Sequence, residues 1–335
     1  MTQHTNPNLP GFDAEFRNLD HYIRVITDRI WEGGRIDDIY KYYSDPCVVE
    51  TPSSVSTALA DVVSGTRATL AAFPDRRLLA EDIIQSGDAT GGFLSSHRII
   101  STMTHLGDGA FGAPTGKKIH VRTIADCVCR DNRIIHEWLV RDQAAIAVQI
   151  GVSPREIAAK WLVAAQPQNI KTQQGRAVWQ KNAANPPPAG YFSFVSSDTQ
   201  AQMVANTLSD IAYHPDKNVV ALTYDDAVHQ LGPANTTRYG QIEVAQYWQQ
   251  LFTTFKVNKF SVEHLAMQQG NGRADRVALR WRAVTEHTGV GAFGVPTNKP
   301  VEIMGINHVE FFNGRVLREW ALVDEIALWM QVLAG

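Results

Sequence analysis

Residues 109–117 read GAFGAPTGK, and residues 291–299 read GAFGVPTNK. The phrases lie 182 positions apart, and the same offset keeps matching on both sides without a gap. Arg98, His105, Gly107, Phe111, Pro114, Thr115 and Lys117 fall on Arg280, His287, Gly289, Phe293, Pro296, Thr297 and Lys299. Further on, Arg133, Glu137, Trp138, Asp142 and Gln149 fall on Arg315, Glu319, Trp320, Asp324 and Gln331. One unit of roughly 135 residues therefore occurs twice, too few copies for a solenoid and long enough for each to bury its own core.

Within each copy the hydrophobic period changes in a fixed order. Residues 19–32, LDHYIRVITDRIWE, carry apolar residues at helical spacing, and Gly33-Gly34 ends the run. Residues 35–43 read as a second short helix, and TRATLAAF (66–73) and VAQYWQQLF (244–252) as a third. Strand patterns follow: FLSSHRIISTM and RVALRWRAVTE lead into the Gly/Pro-rich phrase, and HVRTIADCVCR and VEIMGINHVEFF leave it. Asp131-Asn132 and Asn313-Gly314 mark hairpin turns, after which IIHEWLV and VLREWALV return. Helices followed by an antiparallel meander make an α+β unit, and a curved sheet over helices leaves a concavity that suits a ligand. Ser153-Pro154-Arg155-Glu156 is a capping box that starts a helix to about Ala165, followed by a Gln/Asn-rich stretch and Pro186-Pro187-Pro188 that read as an extended linker. The expected domains are residues 15–152 and 198–335, joined by a connector over 153–197.

The bulk composition narrows the function classes. The 335 residues are 44% hydrophobic and 19% charged, with a net charge of −3, so neither nucleic acid nor an anionic membrane is an expected partner. MTQHTNPNLPGFDAEF has no basic stretch followed by an apolar one, so no secretory signal is expected, and no apolar run approaches the roughly 20 residues that span a bilayer. The three cysteines, Cys47, Cys127 and Cys129, lack metal spacing and suit a reducing cytoplasm as small buried hydrophobes. The histidines are scattered and no phosphate-binding glycine loop opens a helix, so neither a metal nor a cofactor is expected.

Several further residues complete a pattern. Phe73-Pro74-Asp75 follows a helix, then come Glu81-Asp82, Gly87-Asp88, Arg98 with His105 seven later, Gly112-x-Pro114-Thr115-Gly116-Lys117, Arg133-Ile134, Glu137-Trp138, Asp142 and Gln149-Ile150-Gly151. The second copy keeps Arg280-Trp281, His287, Gly294-x-Pro296-Thr297, Gly314-Arg315-Val316, Glu319-Trp320, Asp324 and Gln331, and reads Phe255-Lys256-Val257 in place of Phe-Pro-Asp. In order and spacing each half resembles the SnoaL-like polyketide cyclases of the nuclear-transport-factor-2-like superfamily. The resemblance implies two tandem cone-shaped α+β barrels, each with a deep apolar pocket, that dimerise through the sheet's outer face. It also implies a general acid/base aspartate on the last strand, seven residues after the turn glycine. Those positions are Leu139 and Ala321, which cannot exchange a proton. The family's Gln-x-His on the preceding strand falls on Thr123-x-Ala125 and Gly305-x-Asn307.

Strand parity suggests which groups remain inside. If Leu139 and Ala321 face inward, so do Glu137 and Glu319, because positions two apart share a face. A three-residue turn around Asn313-Gly314 would put Asn307 opposite Glu319, and the same register puts Ala125 and Thr123 beside Glu137. A carboxyl in an apolar pocket has a raised pKa, which suits proton transfer. The candidate catalytic set is therefore Glu319, Asn307 and His287 in the second copy, and Glu137 and His105 in the first. Thr123, His229 and Glu50 are candidate ligand contacts, as are Arg98 and Arg280 for an anionic group. Bland roles compete: internal ion pairs for the arginines and glutamates, a strand-end hydrogen bond for each histidine, helix caps for Asp142 and Asp324, and sheet packing for Trp138 and Trp320. The fused copies are expected to pack as an internal pseudo-dimer, with a further homo-oligomer open. Cofactor-free cyclase, isomerase or dehydratase chemistry on a small apolar oxygenated molecule is one functional expectation. A non-catalytic small-molecule-binding protein is the other, with a scaffold whose pockets are filled by side chains behind both.

Overall fold

Each copy opens on an amphipathic helix. In the computed structural model, which describes residues 9–165 and 194–334, helix α1 (Leu19–Thr27) starts where the Asn18 side chain accepts from the His21 amide, and it buries Leu19, Tyr22, Ile23 and Ile26 on one stripe. Two short helical turns and α2 (Ile39–Tyr42) lead to strand β1 (Tyr43–Glu50), β2 (Val55–Ser56) and α3 (Leu59–Ala72). Four long strands follow: β3 (Arg77–Asp88), β4 (Gly92–Thr104), β5 (Lys118–Arg130) and β6 (Arg133–Arg141), then α4 (Gln143–Ile150). Helix α5 (Pro154–Ala165) has the expected capping box, with Glu156 N donating to Ser153 Oγ at 3.2 Å and Ser153 N to Glu156 Oε2 at 3.2 Å.

The second copy repeats the order. Helix α6 (Thr199–Tyr213), capped by Asp198, and α7 (Val220–Thr223) precede β7 (Tyr224–Leu231), β8 (Thr237–Tyr239) and α8 (Gly240–Thr254). Then come β9 (Phe255–Gln268), β10 (Arg276–His287), β11 (Pro300–Phe312), β12 (Arg315–Val323) and α9 (Glu325–Leu333). The chain divides into two compact units, and residues 140–145 and 153–162 group with the second. The run at 166–185 and the prolines at 186–188, read as an extended linker, lie outside the described residues.

The sheets correct one expectation. The orders are β2-β1-β6-β5-β4-β3 and β8-β7-β12-β11-β10-β9, six strands each, and neither sheet closes. They are also mixed, because β1 runs parallel to β6 and β7 parallel to β12. An antiparallel meander accounts only for the four long strands. The parallel strand comes from between the helices, and its sequence in the first copy, YSDPCVVE, has too little alternation to announce itself.

The repeated phrase is a loop between the two central long strands of each unit. The His105 amide donates to Lys117 O and the His287 amide to Lys299 O, both at 3.0 Å. Phe111 packs on Phe73 and Phe293 on Phe255. The glycine before each phrase lies against the end of the preceding helix: a Cβ on Gly107 would be 2.0 Å from Ala71 O, and one on Gly289 2.2 Å from Thr253 O. The cores lie between helices and sheet, around Phe12, Phe16, Tyr22 and Tyr42 in the first unit and around Trp248, Phe252 and Trp281 in the second. No helix among the described residues is long and apolar enough to cross a membrane, and no group of three metal-ligating side chains occurs among them.

Candidate functional site

In the second unit the carboxyl of Glu319 is held by three side-chain donors. Asn307 Nδ2 donates to Oε1 at 2.6 Å, Tyr224 OH to Oε1 at 3.1 Å, and Gln230 Nε2 to Oε2 at 2.8 Å. The donors come from the two strands that flank β12: Tyr224 and Gln230 from β7, Asn307 from β11. Gln230 lies directly across the parallel β7–β12 pair from Glu319. Asn307 lies across from Ala321, one diagonal step away, and not opposite Glu319 as the turn count predicts. The cause is a tight two-residue turn at Asn313-Gly314, both at positive φ, followed by a bulge between Glu310 and Phe311. The diagonal remains within reach of two polar side chains on one face.

Asn307 is itself oriented. Trp281 Nε1 donates to Asn307 Oδ1 at 2.8 Å, which turns the amide N–H toward Glu319. Gly305 makes room for that indole, since a Cβ there would lie 2.2 Å from Trp281 Cζ2. Trp281 also stacks on Phe260 and meets Trp248 edge to face. Burial raises the Glu319 pKa, while the hydrogen bonds from Gln230, Asn307 and Tyr224 pull against that shift. The Tyr224 hydroxyl is held well above its usual range by burial and by the neighbouring Glu319 charge, so it serves as a donor.

The first unit keeps the glutamate and one of its partners. Tyr43 OH donates to Glu137 Oε2 at 3.1 Å. Val49 lies across from Glu137 where Gln230 faces Glu319. At the repeat offset, Ala125 replaces Asn307, Ile99 replaces Trp281, Thr123 replaces Gly305 and Leu139 replaces Ala321. Thr123 is buried and its Oγ1 has no hydrogen-bond partner among the described residues. His97 pairs with Ala125 across β4–β5 and is buried; burial pushes its imidazole down to about 3, so it is neutral. Cys47 and Cys127 lie near Glu137, and burial first, then that charge, pushes the Cys47 thiol up to about 12.

The other candidates lie elsewhere. His287 Nδ1 meets Thr297 Oγ1 at 3.1 Å and His105 Nδ1 meets Thr115 Oγ1 at 3.2 Å, so each histidine clasps its own loop. His287 is eight residues along β10 from Leu279, the partner of Asn307, or about 26 Å at strand rise. Arg98 and Arg280 project from the sheet face opposite the glutamates and donate to Glu81 and Glu263 at 3.2 and 3.3 Å. Glu50 is buried beside His136, with Nε2 to Oε1 at 2.8 Å, and His229 is exposed against Tyr239. Asp142 and Asp324 cap their helices: Asp142 Oδ1 accepts from Ala145 N, and Asp324 Oδ1 from Ile326 N and Ala327 N.

Sequence reasoning did not name Tyr224 or Gln230, and it read Trp281 only as part of the repeated pattern, not as a site residue. The parallel pairing that brings the first two to Glu319 joins segments 95 and 89 residues apart. It also missed Glu325, which follows the capping Asp324. Burial, reinforced by Asp142 and partly offset by Arg238, pushes that carboxyl up to about 7.

IdmH from Streptomyces antibioticus is 21% identical, with 40% of this chain covering 98% of that one at a TM-score of 0.35. A SnoaL-like polyketide cyclase from Agrobacterium tumefaciens is 18% identical, with 40% covering 98% at a TM-score of 0.31. None of the curated proteins matched the chain. The profile described as SnoaL-like polyketide cyclase matches twice, over residues 22–150 and 202–332, together well over half of the sequence. The chain therefore belongs to the SnoaL-like polyketide cyclase family, as two tandem copies.

Proposed function

We propose that the second copy carries out cofactor-free acid/base chemistry, of the isomerase, dehydratase or cyclase type, on a small apolar oxygenated molecule. The observation behind this reading is Glu319: a buried carboxyl with its pKa raised, set among Tyr224, Gln230 and an Asn307 fixed by Trp281. His287 and His105, clasped in their loops, take no part in the proposed chemistry. The first copy lacks Asn307, Gln230 and Trp281 equivalents and acts in this reading as a supporting unit. Turnover of a panel of β-keto esters, enones and hydroxy-ketones tests it. Glu319→Gln is expected to lower kcat about 100-fold or more, and Glu137→Gln to leave it within about threefold. Wild-type turnover in Glu319→Gln removes Glu319 from the mechanism.

A second reading, a protein that binds a small molecule without converting it, draws support from Leu139 and Ala321, the positions where the family resemblance expects the catalytic aspartate. Native mass spectrometry of freshly purified protein separates the two. A retained, unmodified small molecule together with no turnover favours binding.

A further inference from the structure

A side-chain amide offers a neighbour either its oxygen or its N–H2, and its partners decide which. Around Glu319 both amides are decided by groups that only donate. Trp281 Nε1 donates to Asn307 Oδ1 at 2.8 Å, and Arg238 Nη1 donates to Gln230 Oε1 at 3.3 Å. An indole N–H and a guanidinium have no acceptor atom, so neither tolerates the amide nitrogen in that place. Gln230 Nε2 is left to face Glu319 Oε2, at 2.8 Å. The strand register builds the same chain of contacts. Arg238 lies directly across the antiparallel β7–β8 pair from Gln230, and Gln230 directly across the parallel β7–β12 pair from Glu319.

The guanidinium is held in place for this contact. Its carbon lies 4.0 Å over the Tyr247 ring, and Gly232 leaves it room, since a Cβ there would be 2.4 Å from Nη1. Arg238 makes no ion pair among the described residues, so a salt bridge does not account for its position. The first copy lacks the whole arrangement rather than one part of it. Val49 pairs with Ser56 where Gln230 pairs with Arg238, and Gly65 stands at the repeat offset for Tyr247. Ala125 and Ile99 likewise replace Asn307 and Trp281 together. Each amide therefore occurs with its own orienting donor, and each pair is absent as a pair.

We propose that Arg238 is a positioning residue of this site: it fixes Gln230 with its amide N–H toward Glu319 and so favours the anionic form of that carboxyl inside the fold. The inference deepens the acid/base reading above and rests on it for its place in the chemistry. A protonated carboxyl needs an acceptor for its O–H, and the oxygens of both neighbouring amides are already engaged by Arg238 and Trp281. An ionised carboxyl needs donors, and Gln230, Asn307 and Tyr224 supply three. Burial raises the Glu319 pKa, and the Gln230 hydrogen bond is the first of the contacts that oppose it. Two other titratable groups feel the Glu319 charge, Tyr224 on β7 and Tyr247 on α8. Both are held above their usual range, first by burial, and stay neutral. Arg238 thus acts on Glu319 in two separable ways, by its charge through space and by the amide it orients.

The test is the titration of Glu319 itself, followed by NMR on the full-length chain carrying carbon-13 at the glutamate carboxyls, with Glu319→Gln identifying the resonance. Arg238→Met is expected to raise the midpoint by about one pH unit. Gly232→Ala keeps every charge and displaces only the tip of the guanidinium, so it is expected to raise the midpoint by about half as much. Arg238→Lys keeps a charge and a donor, and is expected to stay within about 0.3 unit of wild type. In a Gln230→Leu background, Arg238→Met is expected to add less than about 0.3 unit, because the amide that carries the effect is gone. An unchanged midpoint in Arg238→Met overturns the proposal. So does an equal rise with and without Gln230, which would make Arg238 a charge acting through space alone. The titration needs no substrate, so the two readings fail separately. Shifted midpoints without turnover of the carbonyl panel reject only the acid/base reading, and an unshifted midpoint with turnover rejects only the role of Arg238.

Discussion

Glu137 and Glu319 hold the same strand position in two copies of one pattern, and their surroundings have diverged in chemistry more than in fold. Both are buried, both receive a tyrosine hydroxyl, and both lie across from the parallel strand of their sheet. Around Glu319, Gln230 and Asn307 add two amide donors, and Trp281 orients the second. Around Glu137 the same places hold Val49, Ala125 and Ile99. Small apolar substitutions at three inward positions preserve strand pairing while removing polar partners. Strand pairing therefore tolerates changes in both the size and the polarity of inward residues.

The largest expected effect tests whether the exchanges are coupled. Gly305 and Trp281 form a pair in the second unit, as Thr123 and Ile99 do in the first. Gly305→Thr drives a side chain into the indole and is expected to cost about 3 kcal/mol, read as a lowered midpoint in denaturant unfolding. Adding Trp281→Ile, which recreates the first unit's pair, is expected to restore most of the loss from overpacking. Additive losses in the double variant would show that the two units do not share this packing solution.

A smaller effect separates the copies by pH. Glu325 titrates at about 7 in the folded chain against an ordinary value of 4.5, so between these values the folded state binds its proton more tightly than the unfolded chain does. Stability accordingly falls as pH rises through that window and levels off above it. Asp324, pushed up by burial to about 6 from 3.8, adds the same slope at lower pH. The first copy has Gln143 at the Glu325 position and gains no such slope there. Glu325→Gln is expected to flatten the profile and to stabilise the chain by roughly 1–3 kcal/mol at about pH 8, with little change near pH 4. An unchanged slope in thermal midpoints across this range would contradict the assignment.

How much of this the sequence conveyed depended on distance along the chain. The duplication, the helices and the long strands follow from period and offset, and the inward turn of the two glutamates from strand parity once the family resemblance sets Leu139 and Ala321 inward. The proximity of Asn307 to Glu319 was also legible, but in the wrong register, because the Asn313-Gly314 turn has two residues and a bulge beyond it adds one that period counting cannot see. Gln230 and Tyr224 were out of reach, since they arrive on a parallel strand drawn from between helices, and nothing local in DDAVHQ indicates a partner about 90 residues away. That strand also breaks the offset: Tyr43 matches Tyr224 and Val49 matches Gln230 at 181, not 182. Glu325 was hidden by its neighbour, because an acidic pair at a helix start reads as capping, and only the hydrogen bonds show that Asp324 does that work alone.

Where the copies have not diverged, their responses should coincide, and the repeated phrase supplies the case. His105–Thr115 at 3.2 Å and His287–Thr297 at 3.1 Å close the same loop, each histidine ring 5.3 Å from the phenylalanine at the end of the preceding helix. Burial lowers the His287 pKa, which favours the neutral ring that such a contact accommodates. Thr115→Ala and Thr297→Ala each remove one neutral hydrogen bond, so each is expected to cost about 1 kcal/mol and to do so equally, with activity unchanged. Equal small losses would place these residues in the fold's shared framework. A loss of turnover in Thr297→Ala alone would instead return His287 to the chemistry of the second copy, because only a group acting on a ligand makes one of two matched loops matter more than the other.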